Sequence, residues 1–503
     1  MYTDNDNRPV DMNVDSPQRA ADPRAMPKAP APVKKGFSTF SIPAIVMLVL
    51  ILTVFAFEMM LSLQKVNAMD LSRGRFIGAD NYARLTNNAN YSLALQGSLI
   101  YRLIQLGAGA GLAAGLVALF YAMRKPRVVL TFTCLWLIPA CLPYLTMSIA
   151  AVHATQADES GVLFCYWTTV LQTTSVFCFC GGLFTFLNLK KKGRPGGGPY
   201  YGLLIGVLVY LLSFLSTREL FPGIMRGRIY SATLDNYNYR LLINQQLGVG
   251  AAGGVMKVIM QLLIAIIPMI ILSILARKKS TKGKMTLNTL WVLLVIPAGL
   301  TLLLLLSNVF TGDRVGSSVA NSVLTALIGG SFGGLIAYSF IHLFRRVPCF
   351  LFALFATILS GTMSCLISQY LVMTSAGMRE TIWPQVLTAA FDGRLILITT
   401  VVAFALRDWH EARPGSLVIA MALLTAAFVW GEINMANIFN MRAYPVSVLT
   451  FQVTKDDAVL GPMSGLRTSA QLLLAVPPLL LGAGGAWMMK RAFDTQDELI
   501  IEQ

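Results

Sequence analysis

The sequence predicts an all-α polytopic membrane protein, with about 12 transmembrane helices in two parallel six-helix repeats. Three observations predict it. The 503 residues are 55% hydrophobic and 13% charged, with a mean hydropathy of +0.63; soluble globular chains run about 25% charged. Apolar runs long enough to span a bilayer recur along the whole chain. The short basic connections between them alternate, so that all fall on one side.

That composition excludes an ordinary soluble enzyme, a disordered chain, a secreted disulfide scaffold and a fibre. The net charge of +16 comes from 40 Lys and Arg against 24 Asp and Glu. In a soluble protein such an excess suggests nucleic acid as a partner. Here the charges cluster at helix ends, so the expected partner is membrane lipid and no nucleic acid. Cys134, Cys141, Cys165, Cys178, Cys180, Cys349 and Cys365 all lie in apolar stretches. They read as small packing residues, not as disulfides or metal ligands.

Residues 1–36 are polar, rich in Asp, Asn, Pro and Ala and without periodicity, and read as a disordered tail. The apolar run after them is long enough to span, which argues against a cleaved signal peptide. A span needs about 20 apolar residues. Runs at 41–62, 98–123, 128–153, 162–187, 200–216 and 253–275 make a first half, 37–280. Runs at 287–310, 318–344, 347–373, 386–406, 415–430 and 466–489 make a second, 281–491, before a C-terminal tail at 492–503.

Lys and Arg counts orient the spans. The tail, the connections after spans 2, 4, 6, 8 and 10, and the C-terminus hold 24 of the 40. The opposite side holds 12, spread over longer loops. Positive residues stay cytoplasmic, so both termini are predicted cytoplasmic.

The two halves match weakly in sequence. Span 2 opens Ser98-Leu99-Ile100-Tyr101, and span 8 opens Ser322-Val323-Leu324-Thr325. Small-residue patches follow at equal depth, GAGAGLAAG at 107–115 and GGSFGG at 329–334, which predict close helix packing. In the last outer loops, Glu219 precedes Tyr230 and Glu432 precedes Tyr444, at offsets of 213 and 214 residues. An even number of spans per copy gives both copies the same orientation.

On these segments the chain resembles the membrane subunits of type I ABC importers, the binding-protein-dependent permeases, and most of all the sugar-type pair. R-F-I-G-A-D-N-Y-A-R-L at 75–85 is similar to the segment before the permease core, and G-S-L-I-Y-R-L-I at 97–104 to the core-opening helix. A-N-S-V-L-T-A-L at 320–327 and G-G-L-I-A-Y at 333–338 look like that helix in the partner subunit. F-V-W-G-E-I-N at 428–434 and A-Y-P-V at 443–446 resemble that subunit's last outer loop. The resemblance implies two fused permease subunits in a bacterial plasma (inner) membrane. It also implies ATP-binding subunits on the cytoplasmic face, an extracellular solute-binding protein, and sugar as the solute class.

The family's cytoplasmic E-A-A…G coupling helix has no counterpart. The equivalent connections read N-L-K-K-K-G-R-P-G-G-G-P at 188–199 and R-D-W-H-E-A-R-P-G at 407–415, too short and too rich in Gly and Pro for a rigid helix. The resemblance therefore carries the fold and the pathway, but not the coupling contact.

Polar residues at membrane depth are the remaining functional signal. Gln172, Gln261 and Gln369 lie within spans, suited to hydrogen-bonding across helices or to a solute hydroxyl. Glu432, Asn434 and Asn437 follow span 11 beside Trp430 and could form a polar gate. Together these six are the expected substrate-pathway residues. Glu58, Lys257 and Arg102 lie near the outer ends of spans and are expected to snorkel; Asp392 and Arg394 are expected to pair. No Walker A pattern occurs, and no nucleophile or ligand set surrounds His153, His342 or His410. Catalytic residues, metal and cofactor are expected to be absent. Three functions remain open: an ABC-type importer permease, a degenerate permease acting as an accessory or signalling component, and an ion-coupled secondary transporter.

Overall fold

Within hydrocarbon a segment must satisfy its own N–H and C=O groups, and a helix does so without a partner strand. The computed structural model follows that rule. It describes residues 41–66, 74–143, 145–146, 159–190, 200–215, 233–275, 314–344, 347–362, 365–408, 412–439, 445–460 and 464–494. Within these, the side chains of 159–168, 314–315, 362, 391, 407–408, 434, 437, 454–460 and 464–468 are not described. The expected tail at 1–36, span 287–310, the basic connection 276–285, and Glu219, Tyr230, Tyr444, His153 and His410 lie outside the described residues.

The first apolar helix is α1 (Ile42–Ser62). A two-stranded antiparallel ribbon follows, β1 (Gln64–Lys65) with β2 (Arg75–Phe76), pairing Gln64 with Phe76. Next come α2 (Asp80–Thr86) and α3 (Ala89–Ala122). Asn88 starts α3: its side chain accepts the Asn90 N–H at 2.9 Å, an N-cap. That cap places the helix start nine residues before the expected span 98–123. The turn out of α3 puts Arg124 in the left-handed region, φ 51°. Pro126 then opens α4 (Pro126–Leu135), since a first-turn Pro lacks only an N–H the helix would leave unpaired. α5 (Leu137–Ala140) continues it; residues 145–146 are helical again, and the remainder of the expected span to 153 lies outside the described residues.

Further along lie α6 (Glu159–Lys190), α7 (Tyr201–Leu212), α8 (Leu234–Ile243) and α9 (Leu247–Leu275). The second half contributes α10 (Arg314–Phe344), α11 (Cys349–Thr362), α12 (Leu366–Ser375) and α13 (Trp383–Thr388). After a 3-10 turn at Ala389–Phe391 come α14 (Gly393–Asp408), α15 (Pro414–Trp430), α16 (Asn434–Phe439), α17 (Val446–Leu460) and α18 (Ser464–Phe493).

Among the described residues, seven helices are long and apolar enough to cross a membrane, and an eighth if a bent pair counts as one. That pair is the expected span 347–373. It breaks into Cys349–Gly361 and Leu366–Ser375, at 71° to each other. Pro126–Ala140, Tyr201–Leu212 and Pro414–Trp430 are apolar but shorter. The architecture is that of an all-α integral membrane protein.

Core and rim differ sharply. α6 and α10 are buried for most of their length, whereas α1, α3, α9 and α18 leave apolar side chains such as Leu263, Ile267 and Leu480 outside. Aliphatic side chains in those numbers on an outer face suit hydrocarbon, not water. The tightest packing is α3 on α6, α10 on α15, and α15 on α18. α9 packs on α11, and α18 packs on α4 and α5.

The two glycine patches do not behave alike. A Cβ on Gly330 would meet Ala422 O and Ala426 Cβ, both at 2.7 Å, and one on Gly334 would meet Ala422 N, Cα and Cβ at 2.8 Å. The second patch is a close helix–helix seam. In the first, Gly107, Gly111 and Gly115 have nothing within 4 Å, and only Gly109 meets a neighbour, Thr173, at 3.0 Å. The expected close packing at 107–115 is therefore confined to Gly109, because the other glycines turn away from α6.

Candidate functional site

Four helices border a partly open cavity of about 40 Å³ whose exposed lining is mainly apolar, with several polar side chains at its wall. Arg102 reaches it from α3, Gln172 and Thr173 from α6, Tyr210 from α7 with Ser213 just beyond, and Arg394 from α14. Val176, Phe177 and Leu397 supply apolar wall. Among the described residues, that wall holds two guanidiniums and no carboxylate.

Helical spacing builds the Arg102 side. Residues three and four apart share a face, so Tyr101, Arg102 and Gln105 come together. Arg102 Nη1 donates to Gln105 Oε1 and, at 3.4 Å, to Tyr210 Oη. Tyr210 Oη donates to Gln105 Oε1 at 2.9 Å, and Gln105 Nε2 donates to Tyr101 Oη at 2.8 Å. The guanidinium carbon lies 5.1 Å from the Tyr101 ring centroid. All the oxygens accepting in these bonds are neutral.

Arg394 sits differently. It forms the expected pair with Asp392, Nε to Oδ1 at 3.0 Å and Nη2 to Oδ2 at 2.8 Å. Its Nη1 donates to Ala140 O at 3.1 Å, and its guanidinium covers Phe428 at 4.2 Å. The Asp392 carboxylate neutralises the Arg394 charge. Gln172 is 1% exposed; its Nε2 donates to Leu142 O, and its Oε1 is buried without a partner. A buried acceptor left open costs about 1–3 kcal/mol, so this oxygen is suited to a donor from a guest molecule or a water.

Of the six expected pathway residues, the structure brings Gln172 to this cavity. Gln261 instead closes the end of α7: Nε2 donates to Leu211 O at 2.9 Å and Leu212 O at 2.7 Å, and Oε1 accepts the Leu215 N–H. Its hydrogen-bonding capacity serves helix packing. Gln369 is buried on α12, one turn past the break in the helix. Glu432 caps α16, accepting the Met435 N–H at 3.0 Å. Asn434 and Asn437 are on α16, their side chains outside the described residues.

Three expected snorkelling residues are buried. Arg102 is 5% exposed, because the cap at Asn88 sets it over three turns into α3. Lys257 is 2% exposed and pairs with Asp235, as α9 begins at Leu247 and not near 253. Glu58 is fully buried: its Oε2 accepts the Ser368 N–H at the start of α12, and its Oε1 has no partner. Hydropathy places a helix end where polarity rises, whereas these helices continue through polar turns covered by neighbours. The only sequence signal for this was Asn88 as a cap.

At the α3–α8 contact, Asn236 Oδ1, Tyr237 Oη and both amide atoms of Asn238 on α8, with Tyr91 Oη on α3, are buried without partners. Burial pushes the Tyr237 and Tyr239 phenols above their usual range. The six cysteines with described side chains are buried free thiols.

Comparison of the sequence with protein-family models, and with curated protein sequences, finds no match in either.

Proposed function

We propose that this chain is the transmembrane permease of an ABC-type importer, two pseudo-symmetric halves in one polypeptide with the solute path between them. The observation that carries the reading is a matched pair of hydrogen bonds. Ser98 Oγ on α3 accepts the Leu234 N–H, the first residue of α8, at 2.9 Å. Ser322 Oγ on α10 accepts the Val446 N–H, the first residue of α17, at 2.8 Å. The two serines open the segments that the sequence aligns between the halves. Both satisfy a helix-start N–H that would otherwise lack a partner.

A reciprocal exchange of helices also supports it. α9 of the first half packs on α11 of the second, and α18 of the second packs on α4 and α5 of the first. Twelve spans result if 287–310 is the seventh. The cavity is bounded by α3, α6 and α7 from one half and α14 from the other, toward the helix ends remote from the basic turns. A pathway between repeats belongs at such a junction. The ATPase and the solute-binding protein come from the family resemblance. Because the E-A-A…G helix is missing, docking of the ATPase would use other cytoplasmic turns.

The test is mild purification of the tagged chain from its native host, with mass spectrometry of co-eluting proteins. Stoichiometric ATP-binding subunits are expected; a demonstrably intact preparation without them would sink the ATP-driven reading. Glu58 favours the ion-coupled carrier as the second reading. A buried carboxyl with one open oxygen, at the start of a half-helix bent by 71°, resembles the broken-helix ion sites of such carriers.

A further inference from the structure

We propose that an anionic phospholipid binds where the α3–α4 turn, the start of α15 and the end of α18 meet, its phosphate among the basic side chains and an acyl chain along the exposed face of α18. The inference goes beyond the permease reading and does not need it.

Packing brings three basic connections together. α18 packs on α4 and α5 and runs antiparallel to them. A Cβ on Gly482 would meet Cys141 Sγ, just past α5, at 2.7 Å. Further along α18, the Lys490 charge acts on the Cys134 thiol, back within α4. The start of α4 therefore lies at the same end as the finish of α18. The start of α15 joins them, because the Arg413 N–H donates to Ala492 O at 2.8 Å. Within 124–127, 412–414 and 490–494, all described residues, Asp494 is the one acid. Arg127 and Arg413 have further interactions of their own, so the headgroup contacts are assigned to Arg124, Lys125, Lys490 and Arg491. Among the described residues no carboxylate forms an ion pair with these four. Arg124, Lys125 and Arg491 are exposed, and Lys490 is partly so, at the edge of the α4–α18 seam.

Apolar surface continues from the charge. Leu480, Trp487 and Arg491 follow at spacings that put them on one face of α18. Leu480 is 68% and Trp487 61% exposed, and the Arg491 guanidinium lies 5.9 Å from the Trp487 ring centroid. An indole beside a cation at the end of an aliphatic stripe suits the boundary between hydrocarbon and headgroups. On α4, Val128 and Phe132 are exposed as well. A phospholipid answers both halves: its phosphate supplies charge and acceptor oxygens for Arg and Lys, and its chains cover the aliphatic face. A soluble acidic partner would meet the charges and leave the stripe uncovered.

The test uses the full chain reconstituted in vesicles of equimolar phosphatidylcholine and phosphatidylglycerol. It is extracted in mild detergent, and native mass spectrometry counts the lipids that stay bound. Phosphatidylglycerol is expected to be retained over phosphatidylcholine, and raised salt to release it. Lys125→Gln with Arg491→Gln should weaken that retention about fivefold per charge, the scale of a basic residue near an anionic bilayer. Arg491→Lys should keep it. Lys65→Gln with Arg75→Gln removes the same charge from the β1–β2 ribbon and should change nothing. Inorganic phosphate, which has no acyl chain, should compete poorly. If the double variant does not fold, Lys125→Gln and Arg491→Gln singly, each on an exposed side chain, still decide.

Equal retention of the two lipids would overturn the proposal. So would an equal loss in the ribbon variant, or full competition by inorganic phosphate. Retention that appears only after deletion of 495–503, where Asp497, Glu498 and Glu502 follow in the sequence, would give the surface to the chain's own tail instead. A Lys125 and Arg491 variant that keeps its phosphatidylglycerol but loses a co-eluting protein would make the cluster a protein dock, and would equally sink the lipid assignment.

Discussion

Gly334 and Gly115 look alike in the sequence, each in a run of small residues, and differ entirely in what they touch. A side chain at Gly334 would run into the Ala422 backbone, which cannot rotate away. Gly334→Leu is therefore expected to lower the unfolding midpoint markedly, while Gly115→Leu, with open space around it, leaves the midpoint and yield near wild type. Comparable losses at the two positions would contradict the packing described for α10 on α15. Glu58 is the other residue whose role is set by its surroundings. Glu58→Ala removes the acceptor for the Ser368 N–H and is expected to cost about 1–3 kcal/mol in denaturant unfolding. Glu58→Gln keeps an acceptor oxygen and should lose less; an equal loss would show that the carboxylate charge, not the cap, holds α12.

At the scale of elements, the starts of α8 and α17 are each held by a serine. Ser98→Ala and Ser322→Ala each leave a buried helix-start N–H unpaired, at about 1–3 kcal/mol apiece. The two sites share no partner, so the double variant should equal the sum to within about 0.5 kcal/mol. A strongly non-additive result would mean that α8 and α17 unfold as one unit. The α8–α9 seam offers a sharper test. Lys257→Met alone strands Asp235 and is expected to cost about 3–5 kcal/mol, whereas Lys257→Met with Asp235→Leu should recover most of it. Chemical unfolding of both variants decides whether the pair stabilises by attraction or only by mutual neutralisation.

For the whole molecule the testable consequence is orientation. On the proposed reading, drawn from the basic connections, both termini are expected on the same, cytoplasmic side. Reporter fusions after Lys192 and after Gln503 should report cytoplasm, and fusions near Gly223 the outside. A fusion after Lys192 reporting the outside would overturn the parallel-repeat topology, since that turn anchors the even-span count. Packing across the sequence halves adds a second consequence. Because α18 lies on α4 and α5, and α9 on α11, the halves expressed as separate chains are expected to be unstable alone and to recover when co-expressed.

The all-α membrane class was legible because hydrophobicity acts locally: an apolar run forms a helix in lipid whatever surrounds it. So was the Asp392–Arg394 pair, two residues apart in sequence. The correspondence of Ser98 with Ser322 was visible as alignment, but not that each serine would hold the start of another helix. Helix starts were misplaced at α3 and α9, and with them the depth of Arg102 and Lys257, because caps and neighbouring helices, not hydropathy, decide where a buried helix begins. The break between α11 and α12, the capping role of Glu58, and the different fates of the two glycine patches depend on which face meets which neighbour. The cavity is the extreme case: Arg102, Gln172, Tyr210 and Arg394 span nearly 300 residues of chain, and only tertiary packing brings their side chains to one wall. The sequence determined the class, an all-α membrane protein. The tertiary structure decided which charges are buried and what the described ones face, because those depend on contacts between helices distant in the chain.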